Sequence, residues 1–131
     1  MPGKGKLRKA EIEALFVRFL DDNLCPIHIA CGDIEVMQYA MPSATAGVYM
    51  QLRKTSEFYI GQAADIVGRQ REHLADGVRL WGLGVWPIGG VGDQRRYAFE
   101  TELIVRALSC GYPLANVQKM RLSRKIASGR E

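Results

Sequence analysis

No apolar run in this sequence approaches the ~20 residues that a bilayer-spanning helix needs, so no membrane partner is expected. Cysteine is scarce, with three residues at Cys25, Cys31 and Cys110. An odd, sparse count argues against a disulfide framework and for a reducing, cytoplasmic compartment. The opening MPGKGKLRKAEIEALF lacks the unbroken apolar segment of a signal peptide, because charges interrupt it. Internal repeats and low-complexity tracts are missing too. The pair Gly82 and Gly84 lacks the third glycine and the helix placement of a dinucleotide-binding fingerprint.

What is present is an ordinary globular composition. The chain has 131 residues, 47% hydrophobic and 24% charged, enough for one domain that buries a modest core without staples. The net charge of +4 is unevenly placed. Lys4, Lys6, Arg8 and Lys9 stand without an acid in residues 1–10. In residues 118–131, Lys119, Arg121, Arg124, Lys125 and Arg130 face only Glu131. The stretch 11–46 is acidic, with Arg18 as its one base. Basic tails on a near-neutral body suit a polyanion such as nucleic acid. The bland alternative is that they only aid solubility.

Residues Ile12, Leu15, Phe16, Phe19 and Leu20 recur at helical spacing and predict an amphipathic helix over about 8–22. The next stretch reads as one strand near Ile34–Tyr39 and a loop at MPSATA. From Gly47, Val48, Met50 and Leu52 alternate with Tyr49 and Gln51. Phe58 and Ile60 alternate likewise with Tyr59 and Gly61. Two strands joined by a turn at RKTS follow. Asp65 is placed to cap a helix running to about Asp76. A Gly-rich loop with a short strand near Leu83–Pro87 comes next. Asp93 can cap a helix over about 94–109, ended by Gly111. The basic tail is read as helical over Val117–Ala127.

The stretch GVYMQLRKTSEFYIG raises a chemical question. A hairpin closing symmetrically about Lys54 would set Tyr49 directly opposite Tyr59, with Cβ atoms ~5 Å apart. On the helix that follows, a step of about 100° per residue buries Ile66, Val67, Gln70 and Leu74. Arg69 and His73 then fall together at the edge of that face, able to hold a phosphate. On the helix over 94–109, Phe99, Leu103, Ala107, Ile104, Tyr97 and Leu108 form the apolar arc, and Glu100 falls in its middle. Glu102 lies on the wet side with Arg95 and Arg106. A buried carboxylate must be paired or bind a metal. Arg96 is the structural partner, and a metal is the sharper alternative.

Taken in order, these residues resemble the GIY-YIG nuclease superfamily over about Gly47 to Val117. The likeness rests on GVY, with valine where the family usually has isoleucine, and on YIG after the hairpin. It continues through RQREH (Arg-x-x-x-His), FETELI (Glu-x-x-Leu-Ile) and the late asparagine of LANV. The resemblance implies an α+β fold with a small three-stranded antiparallel sheet flanked by helices, to which the apolar periodicity adds an N-terminal amphipathic helix. It implies Tyr49 as catalytic tyrosine and Tyr59 as its partner. Arg69 would bind phosphate, and His73 would be a second base candidate or an orienter. Glu100 would be the single ligand of Mg²⁺ or Mn²⁺, and Asn116 a structural support. Lys54, Arg71, Arg96, Lys119 and Arg121 are candidate nucleic-acid contacts.

The expected organisation is an N-terminal extension over 1–46 packed on the core, a nuclease domain over 47–117 and a basic tail over 118–131. Dimerisation and masking of the substrate face are the other roles open to the N-terminal helix. The expected function is a metal-dependent endonuclease that cuts single- or double-stranded DNA by one-metal hydrolysis. The alternative is a catalytically silent nucleic-acid-binding module of the same fold. Which of Tyr49 and His73 is the general base stays open. Cys25-x-x-His28-x-x-Cys31 offers soft zinc-ligand types, but the expectation is buried thiols and a core histidine. Trp81 and Trp86 are read as core or lid packing, with base stacking as the alternative.

Overall fold

The computed structural model describes residues 7–89 and 94–116. Its elements in chain order are α1 (Lys9–Asp22), β1 (Ile27–Ile29), α2 (Ile34–Ala40), β2 (Gly47–Arg53), β3 (Glu57–Ala63), α3 (Ile66–Ala75), β4 (Leu80–Pro87) and α4 (Gln94–Ser109). The fold is α+β. One antiparallel sheet runs β1-β4-β2-β3. Among the described residues no helix is long and apolar enough to cross a membrane.

The sheet has four strands rather than the expected three. The fourth, β1, is a short edge strand that pairs Ile27 with Val85 and Ile29 with Leu83. The stretch expected as a strand near Ile34–Tyr39 is helix α2 instead. Alternating Ile34 and Val36 imitate a strand, but only Met37 is buried, so no two-sided strand pattern operates here. Strand β4 begins at Leu80, inside what the glycines mark as a loop. Gly82 and Gly84 are strand residues on one face, and they make room for α1. A Cβ on Gly84 would lie 2.5 Å from Leu20, and one on Gly82 would lie 3.1 Å from Phe16.

Alternation in β2 sends its side chains to two different cores. Val48, Met50 and Leu52 join Phe58, Ile60 and Trp86 beneath Ile12, Phe16, Phe19 and Leu20 of α1 and Leu103 and Ala107 of α4. Tyr49 joins Leu83, Val85 and Ile29 beneath Met37 of α2 and Ile66 and Val67 of α3. Helix α1 therefore packs on the core, as its periodicity predicts. Trp86 packs as well: its indole Nε1 donates to the Asn23 carbonyl at 2.8 Å, and its ring meets Phe99 edge-on.

The caps fall largely where expected. The Asp65 carboxylate accepts from Gly68 N at 3.2 Å, and Gly111 carries the positive φ of 76° that follows α4. The proposed Asp93 cap, the helix over Val117–Ala127 and most of both basic tails lie outside the described residues.

Candidate functional site

The hairpin turn decides how the tyrosines meet. Ser56 N donates to the Arg53 carbonyl at 3.0 Å, and Ser56 takes φ 64° before the strands pair at Arg53 and Glu57. This is a three-residue loop with a left-handed closing position. Tyr49 therefore pairs with Gly61, and Tyr59 with Gln51. The direct Tyr49–Tyr59 pairing expected from closure about Lys54 is corrected by two residues. A two-residue shift preserves the face, so the rings remain diagonal neighbours with centroids 6.2 Å apart.

Gly61 is the reason the Tyr49 ring can lie across β3. A Cβ there would be 2.6 Å from the Tyr49 hydroxyl, 2.7 Å from Cζ and 3.0 Å from Tyr59 Cε2. Gly47 answers a different need, since its Cβ would fall 2.2 Å from the Trp86 carbonyl of β4. The two glycines that bracket the hairpin thus have separate steric causes.

Helix α3 brings the next groups. His73 lies at the edge of its buried face, with Nε2 3.3 Å from the Tyr49 hydroxyl. The imidazole packs on both tyrosines, with centroids 6.2 Å from Tyr49 and 5.4 Å from Tyr59. One turn earlier, exposed Arg69 pairs with Glu72 at 2.6 Å and also reaches the Tyr49 hydroxyl closely enough to lower its pKa. Burial, then the neighbouring Tyr59, nevertheless hold the Tyr49 phenol well above its ordinary range, and the Glu100 charge pushes the same way. Burial lowers the pKa of His73, and the charges of Arg69 and Arg53 add to this against Asp76 and Glu72.

Glu100 comes from the other side of the sheet. On α4 the buried residues are Arg96, Leu103 and Ala107, with Phe99, Glu100 and Ile104 half-buried. Tyr97 and Leu108, expected inside the apolar arc, are 58% and 39% exposed. The arc is narrower than expected, and Glu100 keeps its place within it. Arg96, expected as a nucleic-acid contact, is 6% exposed, and its Nε donates to Gln62 Oε1 at 3.1 Å. Glu102 pairs with Arg106 on the wet side as expected. Lys54 and Arg71 are exposed, whereas Lys119 and Arg121 lie outside the described residues.

Asn116 supports the edge strand. Its Oδ1 accepts from Ile60 N at 2.8 Å and its Nδ2 donates to Ile60 O at 2.7 Å. The amide thus completes a β-like pairing one residue from both Tyr59 and Gly61. Among the described residues no three His, Cys, Asp or Glu side chains form a metal-binding group. Cys25 donates to the carbonyls of Ile27 and Val85, and burial pushes its thiol up to about 11. His28 is an exposed residue of β1, packed edge-on against Phe16, rather than a core histidine.

One residue of the site escaped the sequence reading. Arg53 stacks over the Tyr59 ring at 4.5 Å and comes within 3.4 Å of His73 Nδ1. Its sequence signal is that Tyr49, Gln51 and Arg53 share one strand face, whereas the expected contact was Lys54 in the turn. Neither a protein-family model, nor a curated protein, nor a solved structure matches this chain.

Proposed function

We propose that the protein is a metal-dependent endonuclease hydrolysing phosphodiester bonds in DNA, as the resemblance to the GIY-YIG nucleases implies. The observation that supports this most is the seat of the Tyr49 hydroxyl. A buried ring lies across Gly61 with its oxygen beside His73 Nε2 and Arg69. A packing pair of tyrosines requires neither an imidazole nor a guanidinium at the hydroxyl end. Here those groups place a hydrogen-bond partner for the hydroxyl beside a guanidinium that can donate to phosphate oxygens.

In this reading Arg69 donates to the non-bridging phosphate oxygens. A water attacks phosphorus in line, forming a P–O bond as the bond to the leaving sugar oxygen breaks. The Tyr49–His73 pair receives the water's proton, and the leaving oxygen takes one from solvent. Tyr59 flanks the hydroxyl and limits where the water can stand. Glu100 is the acidic side chain that the resemblance assigns to hold a cation. A single carboxylate would suit a hard ion such as Mg²⁺ or Mn²⁺ that keeps most of its waters. Held there, such an ion would supply Lewis-acid neutralisation of the phosphate and cancel a charge that raises the Tyr49 pKa. Binding it must compete with the contacts Glu100 already makes.

The test is cleavage of single- and double-stranded DNA with Mg²⁺ or Mn²⁺. The expected result is cleavage abolished by chelation and by Glu100→Ala; activity surviving both would remove the assignment. One observation favours the second reading, a catalytically silent nucleic-acid-binding module: the Arg69 guanidinium is already paired with Glu72. DNA binding without cleavage across several divalent metals would establish it.

A further inference from the structure

We propose that Arg53 is a positioning residue of this site: its guanidinium fixes which ring nitrogen of His73 carries the hydrogen, making His73 a donor to the Tyr49 hydroxyl rather than a base. The kinetic consequence rests on the nuclease reading; the geometry does not.

The inference follows from donor and acceptor inventory. Arg53 Nη2 stands 3.4 Å from His73 Nδ1. A guanidinium has donors and no acceptor, so Nδ1 must present its lone pair. The hydrogen of the neutral ring then sits on Nε2. That nitrogen is 3.3 Å from the Tyr49 hydroxyl oxygen, and it donates there. The opposite tautomer would set an Nδ1–H against an Arg53 N–H and forfeit that contact.

The same logic explains what holds Arg53. Its Nε donates to Gln51 Oε1 at 2.8 Å. The Gln51 oxygen is thereby committed as acceptor, and its Nε2 donates to Gln70 Oε1 at 2.7 Å. Gln70 Nε2 is left as a buried donor without a partner, although Gln51 and Gln70 are fully buried. Every direction in this chain is set by the one group that can only donate. The Tyr59 ring supports the guanidinium from its face, and the β2–β4 register shifts between Leu52 and Arg53, where the side chain leaves the regular ladder.

His73 Nε2–H then donates to the Tyr49 oxygen, and the neighbouring Arg69 guanidinium also favours its deprotonated form. In the proposed hydrolysis the water's proton passes to that oxygen, and His73 keeps its own.

The experiment is ¹⁵N NMR of the ring nitrogens in the uniformly labelled full chain, at a pH where the imidazole is neutral. The chain has 2 histidines, so His73 is identified by comparison with His73→Gln. The expected spectrum shows His73 protonated at Nε2 and not at Nδ1, with Arg53→Met shifting it toward the Nδ1–H form. An Nδ1–H tautomer in the wild type overturns the proposal. In the cleavage assay, His73→Gln keeps an amide donor near the Nε2 position and should stay within about tenfold of wild type, while His73→Ala loses about 100-fold. A folded His73→Gln as inactive as His73→Ala makes His73 the base and refutes the assignment. Arg53→Lys, which retains a donor, should recover part of what Arg53→Met loses. The NMR arm needs neither DNA nor cation. A chain that cuts no DNA would therefore sink the nuclease reading while leaving the tautomer to be judged by its spectrum.

Discussion

Gly61 and Tyr49 occupy space that only one of them can fill with a side chain. A methyl at Gly61 must push against the Tyr49 hydroxyl, Tyr49 Cζ and the Tyr59 ring, all within 3.0 Å. Overpacking of this kind costs about 1–3 kcal/mol. Gly61→Ala is expected to lower thermal stability by that much and, under the proposed nuclease activity, to reduce cleavage by at least about 100-fold. Thermal melts with DNA-cleavage assays measure both, and an alanine variant with wild-type rate would take the Tyr49 hydroxyl out of the mechanism. The pH dependence separates the two base candidates. Burial and Tyr59 raise the Tyr49 pKa, so the phenolate is the minor form, and its share grows about tenfold per pH unit. With Tyr49 as base, log kcat/KM should climb from about pH 7 to about pH 9 without levelling. The His73 pKa is lowered from 6.5, so its neutral form is already dominant near neutrality, and a His73 base would give a plateau from about pH 7.

Strand β3 is an edge strand, yet its outer side is covered. Phe58 N donates to the Pro113 carbonyl at 2.9 Å, and Ala115 N donates to the Phe58 carbonyl at 2.8 Å. The Asn116 amide then takes both backbone groups of Ile60. This closure protects the strand that carries Tyr59 and Gly61. Asn116→Ala would leave a buried N–H and C=O unmet, at about 1–3 kcal/mol. The expected outcome is a lower urea midpoint with faster amide exchange at Ile60; unchanged exchange there would show that another group closes the edge. At this scale, helices α1, α3 and α4 were legible because their apolar residues repeat at helical spacing, with capping signals added for α3 and α4. Helix α2 was not, because seven residues with one buried side chain carry too little period. The start of β4 was hidden because Gly82 and Gly84 mark a loop in any local reading, while their cause is a helix more than sixty residues earlier in the chain.

Across the whole molecule, residues 9–29 share the architecture of the hairpin. Helix α1 covers β4, and β1 extends the same sheet. Phe16 and Leu20 are 1% and 2% exposed over the glycines of β4. Phe16→Ala is expected to cost about 3–5 kcal/mol. Removing residues 1–22 should give a protein that aggregates or unfolds without cooperativity, as judged by size exclusion and thermal melts. A soluble, folded truncation that cleaved DNA faster would make α1 a mask over the substrate face instead.

The sequence by itself determined which side chains share a face. Helical and strand periods are local properties of the backbone, so Tyr49 and Tyr59 were placed together even under a register two residues out. Arg69 and His73 fell on one helix edge, and Glu100 fell within an apolar arc, for the same reason. Only the tertiary structure decided the distances across elements. It set the three-residue turn that lays Tyr49 over Gly61, and it buried Arg96 against Gln62. It also brought Arg53 of β2 against His73 of α3, twenty residues along the chain. Such contacts depend on how a sheet and a helix meet, and no period along a single strand or helix records that.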